Sequence, residues 1–104
     1  MECFIIENSE YEESIRYYYS LKSETNEIDF EKYINEKENI TIDINQKLDV
    51  YDDLDLCSDF INFNQNILKE KIEKTEILEF EWNYRIHFMQ TQNYYILRIW
   101  ETSA

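Results

Sequence analysis

Between Glu79 and Met89 the chain alternates without a fault: Phe80, Trp82, Tyr84, Ile86 and Phe88 take every second position, with Glu79, Glu81, Asn83, Arg85 and His87 between them. Successive side chains leave a strand on opposite faces, so this pattern predicts a half-buried β-strand. A helix over residues 77–89 would scatter the same aromatic and aliphatic groups around its cylinder, and is rejected on that ground. The strand also predicts a neighbour. Gln90 to Asn93 is polar, and Tyr94 to Trp100 is again β-branched and aromatic, which reads as an antiparallel hairpin. The link lacks an Asn-Gly pair, so a looser turn of about three to five residues is expected. Tyr95, Leu97 and Ile99 would line one face of the second strand, and Tyr94, Ile96, Arg98 and Trp100 the other. Both faces are largely apolar, so this strand should be the more buried of the two.

The rest of the chain is read around that hairpin. Cys3 to Ile6 is a short apolar run and predicts a buried strand. Ser9 followed by Glu12 fits a capping box, which predicts a helix from about Glu10 to Ser23. Tyr11, Ile15, Tyr18 and Tyr19 would form its buried stripe, leaving Tyr17 toward solvent. Thr25 or Asn26 would cap a second helix to about Lys37, with Ile28, Phe30, Tyr33 and Ile34 as its apolar residues. Ile40, Ile42 and Ile44 alternate with polar residues and predict a strand; Leu48 to Leu56 reads as a loop. Ser58 would cap a third helix to about Glu73, with Phe60, Phe63, Ile67, Leu68, Lys71 and Ile72 around its inner face. The expected order is β-α-α-β-α-β-β. That order predicts an α+β fold: a small, mainly antiparallel sheet with a C-terminal hairpin and two to three helices packed on one face.

A length of 104 residues suits one domain, 1–104, large enough to bury about two-thirds of its unfolded surface. Hydrophobic content of 43% supports a packed core. No apolar run approaches the ~18 residues of a membrane span, and no basic-then-apolar leader opens the sequence, so the cytosol of the producing cell is the expected location. The sequence holds no glycine and no proline. Without glycine, the phosphate-cradling loops and nucleophile elbows that need its backbone freedom are excluded. Cys3 and Cys57 are too few for a disulfide scaffold and show no metal-ligand spacing.

Charge is the feature with functional weight. Ten Lys and Arg against 23 Asp and Glu give a net charge of −13. Such a field repels nucleic acid and anionic membrane and attracts basic surfaces. Asp49, Asp52, Asp53, Asp55 and Asp59 crowd one stretch, and no Lys or Arg lies between Leu48 and Leu68. A solvated loop and a contact surface for a basic protein both account for that cluster. Calcium is disfavoured, because the spacing lacks the central glycine and closing glutamate of an EF-hand loop. Tyr51 within the cluster and Tyr17 on the outer side of the first helix would supply aromatic anchors beside carboxylate clamps. His87, the lone histidine, falls on the polar phase of the central strand near Glu79 and Glu81. It has no evident nucleophile partner, so a rim histidine is expected and no catalytic or metal-binding set is assigned.

In size, charge and want of a catalytic set, the chain resembles the small acidic immunity proteins of interbacterial toxin systems, such as contact-dependent growth inhibition. The resemblance implies a cytoplasmic inhibitor, not an enzyme, that binds a cognate basic toxin one-to-one, a nuclease before others, without cofactor, nucleic acid or membrane. The expected partner-binding surface comprises Asp49, Tyr51, Asp52, Asp53, Asp55 and Asp59, joined by Glu10, Glu13 and Tyr17. The alternative is a phage-encoded nucleic-acid mimic that inhibits a host defence nuclease through the same physics.

Overall fold

The computed structural model describes residues 2–8, 13–50, 54 and 57–103. Five strands, β1 (Glu2–Asn8), β2 (Glu13–Leu21), β3 (Lys74–Glu81), β4 (Tyr84–Gln90) and β5 (Tyr94–Thr102), form one antiparallel sheet in the order β1-β2-β5-β4-β3. Two helices, α1 (Glu27–Glu38) and α2 (Ser58–Phe63), lie in the connection between β2 and β3. The α+β class, the antiparallel sheet and the C-terminal hairpin match expectation.

The long alternating run is in fact a hairpin. β3 ends at Glu81, Trp82 and Asn83 make the link, and β4 begins at Tyr84. Facing residues of an antiparallel pair share one side of a sheet, and Phe80 faces Arg85. Next to the link, even-numbered residues of β3 and β4 therefore point to opposite sides, although the letters alternate without a break; the register shift between Ile77 and Glu79 restores the phase, so that Glu76 faces Phe88. No residue of this link has positive φ, which is how the chain turns there without glycine.

The expected helix over Glu10 to Ser23 is replaced by β2 across its described part. Ile15, Tyr18 and Tyr19 satisfy helical spacing, yet β2 pairs with β1 on one side and β5 on the other. Its two faces are both covered, so Ile15 and Tyr17 pack into one apolar cluster and Tyr18 into the opposite one. A run of three tyrosines suits such a position better than a helix. Ser9, Glu10, Tyr11 and Glu12 lie outside the described residues.

α1 forms where its caps predict. Asn26 Oδ1 accepts from Asp29 N at 2.8 Å, and Asn39 closes the helix in the left-handed region, at φ 54°. Of its four expected core residues only Phe30 and Ile34 are buried; Ile28 is 75% exposed and Tyr33 38%. Residues 40–44 are not a strand. Ile42 and Ile44 are buried nonetheless, because Asn35 grips the Ile42 backbone, Oδ1 accepting at 2.8 Å and Nδ2 donating at 3.1 Å. The third helix stops early. α2 runs into one π-helical turn, Asn64–Leu68, which Lys69 ends at φ 54°.

The helices are distributed over both faces of the sheet instead of one. α1 covers Tyr18, Ile86, Phe88, Leu97 and Ile99, while α2 and its π-turn cover Ile15, Tyr17, Met89 and Ile96. This second cover explains His87, expected at the rim and found fully buried. In the C-terminal hairpin, Thr91 to Asn93 form the predicted loose turn. Thr91 Oγ1 accepts from the backbone of Asn93 and Tyr94 at 3.2 and 2.9 Å.

Candidate partner-binding site

Two of the expected contact residues are internal. Tyr17 is fully buried, stacked on Phe63 with ring centroids 4.2 Å apart. Its hydroxyl donates to Asp59 Oδ2 at 2.5 Å. Arg98 grips the same carboxylate from β5, Nε donating to Oδ2 at 2.9 Å and Nη2 to Oδ1 at 3.2 Å. Arg98 Nη1 lies 3.4 Å from His87 Nδ1. Burial would raise the Asp59 carboxyl, but the hydrogen bonds and charge of Arg98, helped by the Tyr17 hydroxyl, hold it below the ordinary aspartate range. The Tyr17 phenol moves the other way, pushed well above its usual range by burial. Asp59 and Tyr17 therefore fasten α2 to the sheet and are unavailable to a partner.

The other expected residues divide. Asp49 is exposed, flanked by the half-exposed Leu48 and Val50. Glu13 sits at the sheet rim, where it accepts from Trp100 Nε1 at 3.4 Å. Glu10, Tyr51, Asp52, Asp53 and Asp55 lie outside the described residues. The sequence places seven of its 23 carboxylates and none of its ten cations in residues 1–12 and 51–56.

A different acidic surface emerges at one end of the sheet. There β2 starts, β3 and β5 end and β4 starts, with Glu13 opposite Thr102, Glu101 opposite Tyr84 and Glu81 opposite Tyr84. Glu38, the last residue of α1, joins them through Arg16, whose Nε donates to Glu38 and whose Nη1 donates to Glu101 at 3.1 Å and Ser14 Oγ at 2.7 Å. Burial raises the Tyr84 phenol above its ordinary range; the charge of Glu101 adds to that, as do Glu38 and Glu79, and Arg16 opposes it. Four charged groups of this rim thus converge on one phenol. Arg85, the second cation here, stands 4.4 Å from the Phe80 ring centroid and 5.4 Å from that of Trp100.

Five carboxylates (Glu13, Glu38, Glu79, Glu81 and Glu101) thus lie along this end of the sheet with two guanidinium groups, and of the five Glu38 and Glu101 pair with Arg16. Glu79 and Glu81 make no ion pair among the described residues. Beside them a shallow depression of about 380 Å³ is lined by Ser14, Asn83, Tyr84, Glu101, Thr102 and Ser103. Trp82 stands 70% exposed at the tip of the β3–β4 link. Sequence reasoning missed this rim because it treated Trp82 as a core position of an unbroken strand. The acidic polar phase, Glu79 and Glu81, was the legible part.

Among the described residues, no group of three or more His, Cys, Asp or Glu is arranged to hold a metal ion. None of the helices there is long and apolar enough to cross a membrane. Comparison with protein-family models, curated proteins and solved structures returned no match.

Proposed function

We propose that this chain is an immunity-type inhibitor: it binds a basic toxin one-to-one in the cytoplasm of the producing cell and covers the toxin's active or substrate-binding surface. A nuclease is the target class that the charge favours, since a groove built to hold phosphates is cationic and an array of carboxylates can occupy it. The observation that carries the reading is the sheet-end rim, where five carboxylates outnumber two guanidinium groups that already have partners of their own. A standard interface takes about 800 Å² from each partner. Opposite fields also speed encounter, which matters when the target is lethal.

The test is affinity capture from the chain's own organism, followed by expression of the recovered basic protein in a neutral host. The proposal expects that protein to arrest growth alone and to be harmless when this chain is co-expressed. A recovered set without any toxic basic protein, or toxicity that persists on co-expression, would overturn it.

A further inference from the structure

Trp82 occupies a position that neither packing nor turn chemistry explains. Two-residue hairpin links favour small or polar residues that accept unusual backbone angles, and an indole contributes nothing of that kind. At 70% exposure Trp82 leaves most of its ring in water, against 38% for Tyr33. Its platform is nevertheless fixed. Glu81 pairs with Tyr84 across the link, and Thr102 N donates to Asn83 O at 3.0 Å, tying the turn to β5. A rigid aromatic with two rotatable side-chain bonds loses little entropy when a partner covers it, the usual character of an interface anchor.

The surroundings state what kind of partner fits. Glu81 precedes Trp82, and Glu79 and Glu101 lie on strands that end at the same rim. An indole face attracts cations, guanidinium best of all, and carboxylates beside it take the remaining donors. A second copy of this chain would bring its own rim of the same sign and be repelled.

Resting on the inhibitor reading, we propose that the β3–β4 turn is the anchor of the toxin interface, with Trp82 seated against an arginine-bearing surface and Glu79, Glu81 and Glu101 closing around it. The residues committed to α2, Asp59 and Tyr17, take no part.

Two experiments test this. In the first, the basic toxin recovered by affinity capture is purified and mixed with wild-type, Trp82→Ala, Trp82→Phe and Glu81→Lys chains. Trp82→Ala should speed dissociation by about 30- to 1,000-fold, the hot-spot range. Trp82→Phe should recover most of that loss, and Glu81→Lys should chiefly slow association at low salt. Wild-type dissociation from Trp82→Ala, with the wild-type complex intact, would remove the anchor and leave the inhibitor reading standing; no complex with the wild type would remove both. The second experiment needs no toxin. In a Trp100→Phe background Trp82 is the sole indole, and octa-arginine at low salt should quench its emission. The added pair Glu79→Lys and Glu81→Lys should abolish that quenching, and an unchanged response would contradict the charge complementarity that the anchor requires.

Discussion

Replacing Asp59 by Ala removes one partner from a nearly buried ion pair, and the rest of the site makes that loss large. The carboxylate accepts three hydrogen bonds, two from Arg98 and one from Tyr17, at 2.9, 3.2 and 2.5 Å. The Arg98 and Asp59 side chains are 5% and 12% exposed, so water reaches little of the stranded guanidinium in the variant. Breaking such a pair from one side costs about 3–5 kcal/mol, against a total domain stability of about 5–15 kcal/mol. In urea, with a slope near ~1.5 kcal/mol/M, the unfolding midpoint should fall by about 2–3 M. Trp and Tyr fluorescence follows the transition. Arg98→Met should cost less in the Asp59→Ala background than in the wild type, because it removes the orphaned charge.

The same carboxylate predicts a pH dependence with a definite sign. Its folded pKa lies below that of the unfolded chain, whose aspartates titrate near ~3.9. The unfolded state therefore takes up the proton first, and the stabilisation is whole above that value and drains away as pH falls through the folded pKa. Asp59→Asn should flatten the stability profile in that acidic window and nowhere else. A loss within ~0.5 kcal/mol for Asp59→Ala, the level of an ordinary surface change, would refute the fastening role and return Asp59 to the exposed cluster that the sequence implied.

Three further outcomes follow from the geometry. Asn35→Ala removes both bonds to the Ile42 backbone and should destabilise by about 1–3 kcal/mol, with amide exchange accelerated at Ile42. Asp49→Lys alters an exposed side chain and should leave stability within ~0.5 kcal/mol of wild type by thermal melting, whatever it does to binding. Tyr84 should ionise above the ordinary tyrosine range in ultraviolet titration, since burial, then Glu101, disfavour the phenolate. A raised folded pKa makes the associated stability complete below the unfolded value, near ~10, and lost as pH climbs through the folded one. Glu101→Gln should move that titration back toward normal.

The C-terminal hairpin was legible because each of its signals is local: a β-branched and aromatic run from Tyr94 to Trp100, a polar link and no Asn-Gly pair. α1 was legible through Asn26, a cap that acts on its own first turn. β2 was not, because periodicity reveals a strand only when its two faces differ. Tyr17 and Tyr18 face opposite apolar layers, and a strand buried on both sides can match helical spacing by accident. Asp59 deceived for a different reason. Its partner Arg98 is 39 residues away in sequence, so a carboxylate that looked like one of a surface cluster is neutralised by a pairing the local pattern cannot show. Trp82 was hidden by parity: a two-residue link preserves alternation in the letters while exchanging the faces beneath them. The candidate site changed for these reasons, while the charge argument for a basic partner did not.

The most direct measurement of that argument is an activity titration. The basic protein captured with this chain is purified, its cleavage of nucleic acid is followed, and the chain is added in steps at low and at physiological salt. The account predicts that cleavage falls linearly and ends at one equivalent, with association slower at the higher salt. Full cleavage at a saturating excess of the chain would contradict it.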